Sequence, residues 1–155
     1  MEVFMKRWTL SLVTLFWSLN AIADTGLSEL GNRYFSAWAA TQSPDATEKD
    51  LEHYLSFLKA DVAHQHLPYD SDDSRLPDGK ESIRKGMRFY LGSHSEYEAT
   101  LKQVIPAHNA IAITYTTSSK GVHPQTNELI ELHYSTMEVL EIEDGKVAVI
   151  RKYEE

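Results

Sequence analysis

The spacing of apolar residues changes from mainly helical to strand-like near Gly92, and this change constrains the fold more than any other feature. Before Gly92 most apolar residues recur every three or four positions, which is the period of a helix that buries one face. After Gly92 apolar and polar residues alternate, which is the period of a strand. We therefore predict an α+β fold in which three helices pack on a curved, mainly antiparallel sheet. The concave side of such a sheet would form a pocket.

Three amphipathic helices are predicted from this spacing. The first has a buried stripe formed by Leu27, Leu30, Tyr34 and Trp38. The second begins at a capping box made by Thr47 and Asp50, and its apolar stripe runs to Val62. The third is capped by Asp78 together with Glu81 and ends before Gly92.

The strands are predicted from alternation. A short strand from Val62 to Leu67 places Val62, His64 and His66 on one side, and a solvated loop follows from Pro68 to Gly79. Four further strands are expected at 97–105, 110–117, 128–142 and 146–153. Asp144-Gly145 predicts a tight turn between the last two strands. The adjacent apolar pair Val139-Leu140 predicts a β-bulge.

The N-terminal 23 residues have the pattern of a secretory signal peptide. Lys6 and Arg7 form a positive region, an apolar run covers 8–19, and Ala21-Ile22-Ala23 is a small-residue cleavage site. The apolar run is too short for a transmembrane helix. We expect a mature domain of residues 24–155, exported to the periplasm or secreted, with translation starting at Met1 or at Met5.

Composition excludes several classes of function. The chain has no cysteine, so disulfides and a thiol nucleophile are excluded. Its net charge is −8, without a basic stripe, which argues against nucleic acid as a partner. We find no phosphate loop, dinucleotide fingerprint or glycine-framed serine, and we expect no cofactor.

Several segments resemble the NTF2-like superfamily, and within it the SnoaL-like and ketosteroid-isomerase-like proteins. These segments are Arg33-Tyr34-Phe35, the strand after the second helix, Gly79-Lys80-Glu81-Ser82-Ile83-Arg84 and Glu143-Asp144-Gly145-Lys146-Val147. The resemblance runs from about Leu27 to Glu155. It implies a cone-shaped fold with a cavity lined by the aromatic first helix, and it supports the fold better than the chemistry.

The resemblance also implies roles for individual residues. Tyr34 corresponds to the oxyanion tyrosine of ketosteroid isomerases, and His66 corresponds to their carboxylate base. The position of their second oxyanion donor falls near Met137, and a thioether cannot donate a strong hydrogen bond. His66 could still act as a general base with Tyr34 polarising a carbonyl group. The alternative is that His66 is a pocket histidine bonded to backbone or water.

Further side chains are candidate ligand contacts. Trp38 and Tyr115 are expected near the open end of the pocket, and Met137 is expected to contact the ligand. His64, His66 and His133 could form a three-histidine zinc site, but we favour a polar pocket lining without a metal. The spacing of an EF-hand calcium loop is matched by Asp70, Asp72, Ser74, Asp78 and Glu81. We reject a calcium site, because Arg75 stands where that loop requires glycine.

Two functions remain open at this point. The first is an exported SnoaL-like domain that binds a small apolar or aromatic molecule, with or without isomerase- or lyase-like acid–base turnover. The second is a non-catalytic interaction module that uses its sheet face to form a homodimer or to dock another exported protein. An open cavity lined by Tyr34 and His66 would favour the first function. A cavity filled by Trp38, Met87 and Met137 would favour the second.

Overall fold

The computed structural model describes residues 25–123 and 125–155, which form three helices and five strands. The predicted signal peptide lies outside these residues. In chain order the elements are α1 (25–42), α2 (Glu48–Leu55), β1 (Leu58–Leu67), α3 (Gly79–Tyr90), β2 (His94–Ala107), β3 (Ala110–Val122), β4 (Leu129–Glu143) and β5 (Lys146–Glu154). None of the described helices is both long enough and apolar enough to cross a membrane.

The five strands form one open sheet in the order β1-β5-β4-β3-β2. β1 runs parallel to β5, whereas the other three pairs are antiparallel. Asp144 and Gly145 form the turn between β4 and β5 with φ angles of 51° and 73°, as the sequence predicted. The α+β class and the mainly antiparallel sheet are therefore confirmed.

Two predicted helix features are wrong in detail. The second helix ends at Leu55, and Leu58 and Val62 lie in β1 as buried residues. A spacing of four residues fits one face of a strand as well as one face of a helix, so the apolar pattern could not separate the two. Asp78 occupies the N-cap position of α3, but its side chain makes no capping hydrogen bond.

The β-bulge is displaced from its predicted position. Val139 and Leu140 pair with Ala112 and Ile111 of β3 without interruption. The irregularity lies between β4 and β5, after Glu141, where the pairing skips one residue of β5. β4 therefore keeps a strict alternation from its first residue past Leu140, and this alternation decides which of its side chains face the helices.

The hydrophobic core lies between the inner face of the sheet and helices α1 and α2. Ile111, Ile113 and Tyr115 alternate along β3 and are buried against α1. Gly31 permits close approach of α1, because a Cβ at this position would meet the side chains of Val104 and Ile111. Burial of this face supplies the main stabilisation of the fold.

Helix α3 is held differently from the other two helices. It has no fully buried residue, although Ile83 and Met87 pack against the edge of the core. Arg84 makes a bidentate ion pair with Glu52 of α2, and Arg88 makes one with Glu48. These exposed ion pairs orient α3 more than they stabilise it. α3 meets the sheet at its N-terminal end, where Gly79 lies against the backbone of Val62 in β1.

Two glycines of α3 should respond oppositely to alanine. A Cβ on Gly79 would press against the backbone carbonyl of Val62, whereas one on Gly86 would meet nothing. We predict that Gly79→Ala lowers the free energy of unfolding by about 1–3 kcal/mol through overpacking. Gly86→Ala should raise it by up to about 1 kcal/mol, because alanine favours the helix. Urea denaturation of both variants measures this difference, and equal effects would contradict the packing of α3 on β1.

Candidate functional site

A cavity of about 780 Å³ lies between the inner face of the sheet and helices α1 and α3. Its walls include Tyr34 and Trp38 from α1 and Met87 from α3, with Tyr115 and Glu138 from the sheet. Aromatic walls around a few polar groups are typical of small-molecule sites. α3 meets the sheet where Gly79 lies beside Val62 of β1, and its later residues Ile83, Met87 and Tyr90 line the cavity.

A buried carboxyl group, that of Glu138 on β4, is the central polar feature of this cavity. Only 2% of the surface of Glu138 is exposed to solvent. Tyr115 donates a hydrogen bond to Oε1 at 2.7 Å, and Tyr34 donates one to Oε2 at 3.2 Å. The hydroxyl groups of Tyr34 and Tyr54 are also 3.2 Å apart. Tyr34 of α1 and Tyr115 of β3 therefore bind the carboxyl group directly, and Tyr54 of α2 is linked to it through Tyr34.

Burial raises the pKa of Glu138, because an ionised carboxylate loses its hydration inside the protein. The Lys152 ammonium and the two tyrosine hydrogen bonds oppose this rise, and the net direction is upward. Burial, and then the charge of Glu138, raise the pKa values of Tyr34 and Tyr115. Both phenols therefore keep their protons and act as donors toward Glu138.

A second polar cluster lies beside Glu138. It consists of Lys152 and Glu154 on β5 together with His66 on β1. The Lys152 Nζ atom is 2.5 Å from Glu154 Oε1, and His66 Nε2 is 2.9 Å from Glu154 Oε2. Burial alone would raise the pKa of Glu154, but the contacts with His66 and Lys152 outweigh it and lower this pKa to about 2. Glu154 is therefore ionised at neutral pH.

The ring of His66 is near Glu154 without being aligned to it. His66 Nε2 is buried and has no hydrogen-bond partner of good geometry among the described residues. The Glu154 distance of 2.9 Å is thus a close electrostatic contact, not a straight hydrogen bond. A buried imidazole nitrogen without an aligned partner can accept or donate a proton to a group placed in the cavity.

His64 lies two residues before His66 on the same face of β1. It is an exposed residue that lines the cavity, and the protein around its ring removes part of the hydration of the imidazole. This desolvation, with the charges of His66 and Lys152, lowers the pKa of His64 to about 4. His64 is therefore neutral over the physiological range.

The structure brings five of the seven predicted site residues together. Tyr34, Trp38, His64, His66 and Tyr115 all line the cavity. Among the described residues no group of three or more potential ligands could hold a metal ion. Asp70 and Asp72, which entered the EF-hand count, instead accept hydrogen bonds from the backbone N–H groups of Asp72 and Ser74.

His133 and Met137 require correction, because neither lines the cavity. The His133 side chain is 64% exposed, and Met137 as a whole residue is 42% exposed. Both occupy odd positions of β4, and successive strand residues point to opposite faces. His133 lines a separate groove of about 380 Å³ on the other face of the sheet. It cannot join His64 and His66.

The important residue that the sequence analysis missed is Glu138, which is the neighbour of Met137. A shift of one residue moves every side chain of a strand to the opposite face. The buried residues Leu140 and Ile142 would have identified the correct face if they had been counted back in steps of two. The predicted bulge at Val139 interrupted that count. Lys152 and Glu154 were missed as well, although they continue the alternation of the buried Ile150.

Several solved structures share this architecture. A candidate SnoaL-like polyketide cyclase from Shewanella denitrificans OS-217 has a TM-score of 0.62 and 12% identity, covering 82% of this chain and 88% of its own. An NTF2-like protein of unknown function from Exiguobacterium sp. 255-15 has a TM-score of 0.61 and 11% identity, covering 81% of this chain and 98% of its own. The chain has the NTF2-like fold. An LEH-like epoxide hydrolase from M. tuberculosis has a TM-score of 0.60 and 16% identity, covering 86% of this chain and 85% of its own.

These similarities confirm the predicted resemblance at the level of the fold. No protein-family model matches the sequence, and no curated protein matches it significantly. At identities between 11% and 16%, these structural similarities establish the NTF2-like fold but not a reaction, because one fold supports many chemistries.

Removal of one tyrosine hydroxyl should reveal the hydrogen bond to Glu138. We predict that Tyr115→Phe lowers the free energy of unfolding by about 1–3 kcal/mol at pH 7, since it removes a bond to a buried carboxyl group. Tyr97→Phe is the matched control. Tyr97 lines the same cavity, and its hydroxyl has no hydrogen bond among the described residues. Chemical denaturation measures both variants, and equal losses would contradict a specific role for the Tyr115 hydroxyl.

Acid stability should depend on His64. Its pKa is about 4 in the folded protein and has an ordinary value of 6.5. Between these pH values the unfolded chain binds more protons, so His64 destabilises the fold increasingly as the pH falls from 6.5 to 4. We predict that His64→Gln makes the loss of stability over this range shallower. His108→Gln, at an exposed turn, is the control. Denaturation midpoints at pH 7.5, 6, 5 and 4.5 measure the slopes, and parallel slopes would contradict the desolvation of His64.

Proposed function

We propose that this chain is a small-molecule enzyme that uses Glu138 for acid–base chemistry on an apolar or aromatic ligand, without a cofactor. The observation that carries this proposal is the buried Glu138 carboxyl group, held by Tyr34 and Tyr115 at an open aromatic cavity. Because its pKa is raised, the Glu138 carboxyl group holds its proton to a higher pH than an ordinary surface carboxyl group, as a general acid requires.

The roles expected from the sequence change in this proposal. Tyr34 donates to Glu138, so we assign it to the positioning of that carboxyl group and not to direct polarisation of a ligand. Glu138 becomes the principal proton-transfer group. We assign His66, whose Nε2 atom is 2.9 Å from Glu154 Oε2, as a second proton-transfer group. Trp38, His64 and Tyr115 remain proposed ligand contacts.

Similarity to the fold neighbours is compatible with this proposal. Two of the neighbours are described as an epoxide hydrolase and as a candidate polyketide cyclase, and both names denote enzymes of small organic molecules. The cone shape expected for such proteins is part of the proposal, as is export of a mature domain of residues 24–155 to the periplasm or the medium. Export rests on the pattern of residues 1–23 alone.

The interaction-module alternative has one observation in its favour. The outer face of the sheet exposes Met137 and contains the groove lined by His133, Ser135 and Glu155. A homodimer through the sheet would cover this face. The open cavity favours the enzyme over a purely structural module, because Trp38 and Met87 line the cavity without filling it.

Gly86 provides a test of ligand binding that separates cavity filling from destabilisation. It lines the cavity, and a Cβ there would meet nothing within 4 Å. We predict that a thermal-shift panel of steroids, aromatic ketones and epoxides gives ligands that raise the melting temperature of the wild type and of Gly86→Ala. Gly86→Phe should remain folded and lose these shifts, because its ring occupies the cavity. For any compound that is turned over, Glu138→Gln should reduce kcat at least 100-fold.

Two results would contradict the proposed enzyme. One is a panel in which no compound shifts the wild type, which would favour the interaction module. The other is turnover by Glu138→Gln at the wild-type rate, with His66→Gln strongly impaired, which would restore the sequence-based assignment of His66 as the base.

A further inference from the structure

The inner face of β4 and β5 carries two carboxyl groups but one ammonium group. These are Glu138, Glu154 and Lys152, and all three are largely buried. The side chains of Lys152 and Glu154 expose 15% and 7% of their surfaces. Lys152 contacts Glu154 at 2.5 Å and is the cross-strand neighbour of Glu138. One positive charge is therefore shared between two carboxyl groups.

Buried carboxylates need compensation, since an uncompensated buried charge is costly. A proton on Glu138 would complete the charge balance of this group. Burial and the negative charge of Glu154 favour such a proton, whereas Lys152 opposes it. The remaining titratable groups that face Glu138 are phenols, namely those of Tyr34, Tyr54, Tyr97 and Tyr115. His66 on β1 reaches the group through Glu154.

The cavity walls are suited to a positive charge. Eight of the residues that line the cavity are tyrosine or tryptophan. The Lys152 Nζ atom is 5.7 Å from the centre of the Trp38 ring, so the protein already places one ammonium over an aromatic face here. The faces of aromatic rings attract cations, most strongly where water is excluded. Two more carboxylates, Asp70 and Asp72, line the same cavity from the loop after β1.

We propose that the cavity binds small organic cations, in which an amine or quaternary ammonium group is joined to an apolar or aromatic body. The positive charge of the ligand replaces the proton of Glu138. On binding, the carboxyl O–H bond breaks, the proton passes to solvent, and the resulting carboxylate pairs with the ligand cation. This inference rests on the proposed function, because it names the ligand class of the same site.

The test compares three probes of nearly the same shape. They are 4-(trimethylammonio)benzyl alcohol, its neutral isostere 4-tert-butylbenzyl alcohol, and the anion 4-tert-butylbenzoate. Isothermal titration of the wild type at pH 8 should show the cation binding at least 10-fold more tightly than the neutral isostere, and the anion binding most weakly. The affinity for the cation should rise with increasing pH, because protons compete with the cation at Glu138. The neutral isostere should show no such dependence.

Two variants remove the charge deficit in different ways. Glu138→Gln removes the carboxyl group at which protons compete with the cation. Glu154→Gln removes the other carboxylate, so that the charge of Lys152 neutralises Glu138. Each should reduce the preference for the cation to less than 3-fold, and Glu138→Gln should abolish the pH dependence. Glu131→Gln is the matched control, since it removes a carboxylate from the exposed part of β4 and should retain the full preference. Because Glu138→Gln and Glu154→Gln both test the inference, the result still stands if one of the two variants fails to fold.

Several outcomes would overturn the inference. These are equal or tighter binding of the neutral isostere, a cation preference that survives in both variants, and a pH dependence that disappears in His66→Gln but not in Glu138→Gln. Failure of all three probes to bind would also overturn it. In that case ligands from the thermal-shift panel that bind in a Gly86→Phe-sensitive manner would show that the proposed function still stands.

Discussion

The burial of Glu138 is the constraint on which the rest of this structure depends. A carboxyl group at 2% exposure loses its hydration, and an unpaired group of this kind would cost several kcal/mol. Hydrogen bonds from Tyr34 on α1 and Tyr115 on β3 compensate for this loss. The packing of α1 on the sheet is therefore coupled to the electrostatics of the cavity, because Tyr34 of α1 binds Glu138. A shift of α1 would open the core and would also release the carboxyl group.

The order and type of most elements could be predicted from the sequence, because helices and strands have different apolar periods. The exact boundary between α2 and β1 could not, since the spacing of Leu58 and Val62 fits both. Glu138 was missed for a different reason. The resemblance placed the second donor position near Met137, one residue from Glu138. Val139 and Leu140 are adjacent apolar residues, and a strand partly buried on both faces gives the same pattern as a bulge. The predicted bulge therefore hid the alternation with Leu140 and Ile142 that places Glu138 on the inner face.

The aromatic part of the cavity was more predictable than its charges. Tyr34 and Trp38 recur with the helical period, and that period alone directs them to the sheet. The contact between His66 and Glu154 has no comparable signal. It depends on the parallel pairing of β1 with β5, which joins segments far apart in the sequence. Acidic and basic residues near the end of a chain are usually solvated, so alternation with Ile150 was the available indication that Lys152 and Glu154 face inward.

The protonation state of Glu138 also decides which groups the cavity offers to a ligand. As a carboxylate, Glu138 accepts hydrogen bonds from Tyr34 and Tyr115, and both hydroxyl protons are then directed away from any ligand. As a neutral acid, Glu138 carries a donor of its own and is a weaker acceptor for the phenols. A neutral ligand with an acceptor group would therefore favour the protonated form, whereas a cationic ligand would favour the carboxylate. One buried carboxyl group, with the ammonium of Lys152 shared between two acids, thus couples the charge of the ligand to the hydrogen-bonding character of the whole cavity.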